Sequence, residues 1–277
     1  MRFQLPGGYV VATALLCLAF AKPLWGLARF SLGSDIYSHV VLMPFVSLYL
    51  VWIKRRELPP ASRSARGFAI LFFAMGGIAV AGYWWANWQG AKLAPEDALA
   101  LTTLGWLLLF AGVSAWFLGH EVLRSIRFPL AMLAFMIPFP VAVLNGIEFF
   151  LQHGSAQAAL AMFRIVGTPL FQHGLVFELP GNFSMQVAPE CSGIHSTLAL
   201  LITSLLAGHI FLRSAWARTI LTLAVVPLAL VRNGFRVFTL GELCVHISPK
   251  MIDSYIHHHG GPIFFALSLV PFSILLL

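Results

Sequence analysis

Charge is what this sequence has least of. Only 10% of its 277 residues are Asp, Glu, Lys or Arg, while 59% are hydrophobic. A water-soluble domain carries about 25% charged and about 45–50% apolar residues. A soluble chain of this length has no way to hide so much apolar surface, so lipid must be the solvent for most of it. Cysteine is scarce as well. Cys17, Cys191 and Cys244 are too few for a disulfide framework, and no CxxC pair offers a thiol redox centre. No HExxH or paired-cysteine pattern suggests zinc, so neither a metal nor a cofactor is expected. Internal repeats, low-complexity stretches and a second soluble domain are also missing. A transporter built on matched broken helices is disfavoured on that ground.

What is present is a series of long apolar runs. A span needs about 20 apolar residues, and on that criterion the chain reads as about eight spans. They cover 9–28, 38–53, 67–86, 98–118, 128–147, 193–212, 217–240 and 260–277. The first run is not read as a cleaved signal peptide, because so many spans follow it. The net charge of +7 suits cytoplasmic loops better than nucleic acid, since basic residues gather on that side of a membrane. Arg2, the group Lys54 to Arg66, Arg124 with Arg127, and Arg213 with Arg218 fall in alternate loops. The other loops are acidic or mixed, with Asp35, Glu96, Asp97, Glu148, Glu178 and Glu190. Both termini are therefore expected in the cytoplasm of a bacterial inner-membrane protein. Segment 148–192, the end of the seventh span and the loop 241–259 are expected outside.

Segment 148–168 reads as a weakly amphipathic helix at the outer interface. Residues 174–188 alternate on either side of Pro180-Gly181-Asn182, which predicts a small periplasmic β-hairpin just before Cys191. The expected architecture is an all-α polytopic membrane protein, a single domain over 1–277. It has an N-terminal helical half (1–147) and a half carrying the chemistry (148–277).

Polar residues at membrane depth are costly and each needs a reason. Pro189-Glu190-Cys191-Ser192-Gly193-Ile194 puts a thiol at the N-terminal end of the sixth span. There the helix dipole and unpaired N–H groups favour the thiolate, which is the nucleophilic form. The competing reading is a buried structural cysteine, against which stand its polar and turn-forming neighbours. Arg232-Asn233-Gly234-Phe235-Arg236 places two arginines on one helix face near the outer end of the seventh span. They line a wet cleft or hold an anion, unless they snorkel to headgroups. His257-His258-His259 opens the eighth span and offers a proton carrier near neutral pH. A solvated loop is the plain alternative for two of the three. His195 is four residues after Cys191 and shares its helix face; it orients the thiolate or merely lines the cleft. Glu190 helps hold the cleft or a basic group. Cys, Arg and His together suit acyl transfer: thiolate attack on a carbonyl, oxyanion stabilisation, proton management.

These residues resemble the exosortase/archaeosortase family of membrane cysteine transpeptidases. The likeness rests on Ser34 to His39 before the second span and on the hairpin leading into Pro189 to Ile194. It rests further on Asn233-Gly234-Phe235-Arg236 as an Asn-x-x-Arg motif, and on His257 four residues before Gly261. The resemblance implies Cys191 as nucleophile, with Arg236 and His257 completing a triad. Arg232, Asn233, His195, Glu190 and His258 are possible auxiliaries, and Ser192 and Gly193 would line the substrate site. Arg232 competes with Arg236 for the arginine role, and His258 with His257. The implied substrates are exported proteins with a C-terminal signal: a short Pro-Glu-Pro-like motif, a transmembrane helix and a basic cluster. The implied acceptor is a surface polymer or a lipid. Two alternatives stay open, an intramembrane cysteine protease that only hydrolyses and a non-enzymatic transporter.

Overall fold

A computed structural model describes residues 5–60, 64–180, 183–188, 192–248, 250–251 and 260–277. The chain divides into two compact units, Met1–Val143 and Leu144–Leu277.

The first unit holds α1 (Gly7–Ala19), α2 (Ala21–Leu32), a 3-10 turn (Ser38–Leu42), α3 (Met43–Lys54), α4 (Arg66–Trp88), α5 (Pro95–Ser125) and α6 (Arg127–Met132). Pro95 opens α5 where a missing N–H costs nothing, and Glu96 and Asp97 in its first turn complement the helix dipole. Asp97 also accepts a 2.9 Å hydrogen bond from the Val141 N–H. α4 and α5 approach closely because glycines face each other. A Cβ on Gly105 would stand 2.7 Å from Val80, and one on Gly76 would stand 2.9 Å from Leu109. Without a hydrophobic drive between helices in lipid, small residues that let backbones touch are the usual means of association. α5 breaks its helical path at Gly119, where φ is +79° and ψ 175°.

The second unit begins within α7 (Val141–Val166), a continuous 26-residue helix. Hydropathy predicts a span at 128–147 and a separate interfacial helix at 148–168. The break falls earlier instead, in the Ile137–Pro140 segment. Pro138 and Pro140 lack amide protons and disfavour helical geometry in the residues before them.

After α7 comes an antiparallel sheet of β1 (Phe171–His173), β2 (Val176–Leu179) and β3 (Phe183–Gln186), in the order β1-β2-β3. Leu179 faces Phe183 and Val176 faces Gln186 across the second pair. The hairpin read from the alternation is β2–β3. The short β1 adds a third strand, with Phe171 opposite Glu178. Phe177, Leu179, Met185 and Val187 turn to one face. There they bury against Ala156, Ala159 and Phe163 of α7 and against Val237 and Leu240 further along the chain. This burial anchors so small a sheet, since a hairpin alone is marginal in water.

Then follow α8 (Ile194–Phe211), α9 (Ala215–His246) and α10 (Gly261–Leu276). Arg218 donates from Nε and Nη2 to the Leu212 carbonyl at 2.9 and 2.7 Å. It closes the α8–α9 turn by covering an acceptor that the helix end leaves open. Leu200, Ala207, Leu221, Val225 and Phe272 form the core shared by these three helices.

Among the described residues, α4, α5, α8 and α9 are each long and apolar enough to cross a bilayer. The number rises to six if α1 with α2, and Arg127–Met136 with α7, each make one bent span. The stretch Ser38–Lys54 and α10 are shorter apolar helices. The protein is thus a mostly helical membrane protein with four to six candidate spans among the described residues, and the two shorter apolar helices account for the remaining runs of the eight read from hydropathy. The expected runs at 38–53 and 260–277 do fold as helices, but short ones. The run at 9–28 is bent by 67° between its two helices.

Candidate functional site

Two of the motifs singled out in the sequence meet. Gly193, from the segment that follows Cys191, caps α8 with φ +72° and ψ 18°, a left-handed conformation that glycine adopts at little cost. Its α-carbon lies directly against α9. A Cβ there would stand 3.0 Å from Asn233 Oδ1 and 3.2 Å from Arg232 Nη2. The position thus requires glycine twice over, for its dihedral and for its lack of a side chain.

The Gly193 carbonyl is the hub of the cluster. It accepts from the Thr197 N–H at 2.9 Å, from Thr197 Oγ1 at 2.8 Å and from Ser196 Oγ at 3.0 Å. Arg232 Nη2 donates to the same oxygen at 3.3 Å and to Thr197 Oγ1 at 3.2 Å. Arg232 is only 7% exposed. Its Nη1 is buried with no hydrogen-bond partner among the described residues. A guanidinium has five donors, and a buried one left unsatisfied is expensive. One end of this side chain thus holds the first turn of α8, and the other meets no acceptor among the described residues.

Asn233 faces the opposite neighbour. Its Nδ2 donates to Ser155 Oγ of α7 at 3.0 Å, with both residues buried. Gly234 lets α7 and α9 come this close, since a Cβ on it would stand 2.6 Å from the Ala158 Cβ. Arg232, Asn233 and Gly234 are three consecutive residues of α9 that together fix α8 on one side and α7 on the other. Arg236, one turn on from Arg232, is half-buried. Ser192 is buried, and its Oγ has no partner among the described residues. His195 is exposed on the first turn of α8. It does not join the Arg232 cluster.

Cys191, Glu190, His257 and His258 lie outside the described residues. Of the expected site, the structure brings Gly193, Arg232 and Asn233 into contact. Thr197 and Ser155 were not singled out from the sequence. Thr197 carried a signal, a hydroxyl four residues beyond the cap glycine and so on the same helix face. Ser155 carried none that its neighbours did not share. A further polar group near the end of α9 was also missed. Thr168 donates to Glu242 at 2.5 Å, and Glu242 pairs with His246 at 3.0 Å. This ties the residue just past α7 to the last turns of α9. Among the described residues no cluster of His, Cys, Asp and Glu fits a metal ion.

Residues 25–274 match the family model described as Transmembrane exosortase (Exosortase_EpsH). That range takes in both motifs and every residue of the cluster. No curated protein and no solved structure matches the chain.

Proposed function

The chain belongs to the transmembrane exosortase family, and from that premise we propose that it is a membrane cysteine transpeptidase that cuts C-terminal sorting signals from exported proteins. The observation that carries this is the contact of Gly193 with Arg232 and Asn233. The residues next to the candidate nucleophile and the Asn-x-x-Arg segment, far apart in sequence, form one buried polar cluster. Polar side chains are buried in this way where they serve a site more often than where they only pack.

The Cys191 thiolate attacks the carbonyl carbon of the scissile peptide bond. Arg236 stabilises the oxyanion of the tetrahedral intermediate. As that intermediate collapses the C–N bond breaks, His257 gives its proton to the leaving amine, and an acyl thioester stays on Cys191. An amine or hydroxyl of a surface polymer or lipid then attacks the thioester. It passes its proton back to His257 and regenerates the thiolate. Arg232 holds the Gly193 cap at the start of α8, two residues after Cys191 in the sequence. The basic loops lie in the cytoplasm and this site lies at the outer face of a bacterial inner membrane. The substrate's own helix enters from the bilayer with its basic tail inside. The exposed edge of the sheet lies close ahead of Cys191 in the chain and suits an extended peptide, which it binds by adding a strand. A cavity of about 530 Å³ lined by Pro169, Phe171, Glu178, Pro180 and Ser184 opens on that sheet and is roomy enough for several side chains of a short motif.

The test is co-expression of an epitope-tagged protein carrying a candidate sorting signal with the wild-type chain, Cys191→Ala, Arg236→Ala or His257→Ala. Loss of processing in all three, with a thiol-sensitive adduct in wild type, supports the mechanism. Normal processing by Cys191→Ala would sink it.

A further inference from the structure

A second cavity of about 530 Å³ lies wholly within the first unit, remote in sequence from the cluster around Arg232. Its walls are apolar. Phe68 and Phe72 of α4, Leu107 and Leu108 of α5, and Leu130 and Ala134 beyond the end of α5 supply most of them. Its rim is basic, formed by His120, Arg124 and Arg127. The kink at Gly119 separates the two parts. Up to Leu118 the helix gives the cavity leucine and alanine; immediately after the left-handed glycine it gives His120, Leu123 and Arg124. From Leu107 to Leu118, ahead of the break at Gly119, α5 advances about 16 Å at 1.5 Å per helical residue. That is roughly the depth of one lipid leaflet, about 15 Å of hydrocarbon plus part of the headgroup layer.

Charge selects the occupant. Arg124 and Arg127 are exposed, and among the described residues neither pairs with a carboxylate. The one acid beside them, Glu121, sits 3.9 Å from His120, so the rim stays net positive. Two guanidiniums on the rim of one cavity suit the oxygens of a phosphodiester. They oppose a headgroup that carries its own ammonium. The apolar channel below fits an acyl chain and gives no hydrogen-bonding group to a peptide.

We propose that this groove is a binding site for one anionic phospholipid, with an acyl chain between α4 and α5 and the headgroup phosphate on Arg124 and Arg127. The charge asymmetry of the loops assigns it to the cytoplasmic leaflet, whose anionic lipids supply the ligand. The site stands independently of the transpeptidase reading, since it shares no residue with that cluster.

The test uses the purified full chain in neutral detergent, with native mass spectrometry and thermal unfolding as readouts. The probes are phosphatidylglycerol, phosphatidylcholine of the same acyl chains, and inorganic phosphate. The wild type is expected to retain phosphatidylglycerol at least tenfold over phosphatidylcholine and to be stabilised by the former alone. Arg124→Gln with Arg127→Gln is expected to abolish the preference. Ala134→Phe, which fills the groove but keeps both arginines, is expected to lose the lipid too. Equal retention of the two lipids by the wild type overturns the proposal, and that comparison needs no variant to fold. So does a stabilisation that inorganic phosphate reproduces, which would mark a bare anion site, or a preference untouched by the arginine substitutions.

Discussion

Gly193→Ala tests the geometry of the candidate site most directly. Two costs add at this position. Alanine in the left-handed region costs about 1–2 kcal/mol relative to its preferred conformations. Its Cβ would also sit 3.0 Å from Asn233 Oδ1 and 3.2 Å from Arg232 Nη2, so the amide and the guanidinium must move. Moving Arg232 weakens its bond to the Gly193 carbonyl, and a hydrogen bond from a charged donor is worth about 1.5–3 kcal/mol. The expected total is about 2.5–5 kcal/mol. It is divided between lower stability and a shifted start of α8. A factor of ten corresponds to about 1.36 kcal/mol, so about 3 kcal/mol taken up as misplacement of the α8 cap lowers processing about 100-fold. The control is Gly167→Ala, also in the second unit, at φ +86° with nothing within 4 Å of its Cβ position. It carries the conformational cost alone, about 1–2 kcal/mol. Thermal unfolding in detergent and processing of a tagged substrate are measured for both. If Gly193→Ala loses no more stability and no more activity than Gly167→Ala, the contact with Arg232 and Asn233 does not matter and the reasoning fails.

Thr197→Val removes one acceptor of the buried Arg232 at nearly constant volume and should cost about 1–3 kcal/mol, with Thr197→Ser restoring most of it; chemical denaturation of the pair checks this. Gly234→Ala should destabilise the second unit by about 1–3 kcal/mol through crowding against Ala158, and Ala158→Gly in the same chain should recover part of the loss, as read by melting temperature. Alanine is the better helix former by about 1 kcal/mol, so Gly77→Ala, with open space at its Cβ, should be neutral or slightly stabilising. Gly105→Ala, which meets Val80 at 2.7 Å, should have the opposite sign and be rescued by Val80→Ala. Matching melting temperatures for the two glycine variants would refute the close packing of α4 on α5.

Hydropathy and charge needed no tertiary information to make this a helical membrane protein, because the requirement for apolar runs in lipid acts on each segment separately. The β2–β3 hairpin was legible for a similar reason, as alternation and Pro180 are local signals. So was the pairing of Arg232 with Arg236 on one face, which follows from the helical repeat. The shape of the spans was not legible. Hydropathy sees the run at 9–28 as one straight segment, but the chain bends at Phe20, and the runs at 38–53 and 260–277 fold as short helices. The start of α7 was misplaced because the apolar residues continue through Pro138 and Pro140 although the backbone cannot. The arginine that binds the α8 cap was also beyond the sequence. Arg232 and Arg236 are chemically alike and four residues apart, and only packing of α9 between α7 and α8 buries the first and leaves the second half-exposed. Thr197 and Ser155 gain their meaning in the same way. A hydroxyl in a helix can bond its own backbone anywhere, and it becomes part of a site only when a neighbouring helix brings a donor within 3.2 Å of Thr197 and 3.0 Å of Ser155.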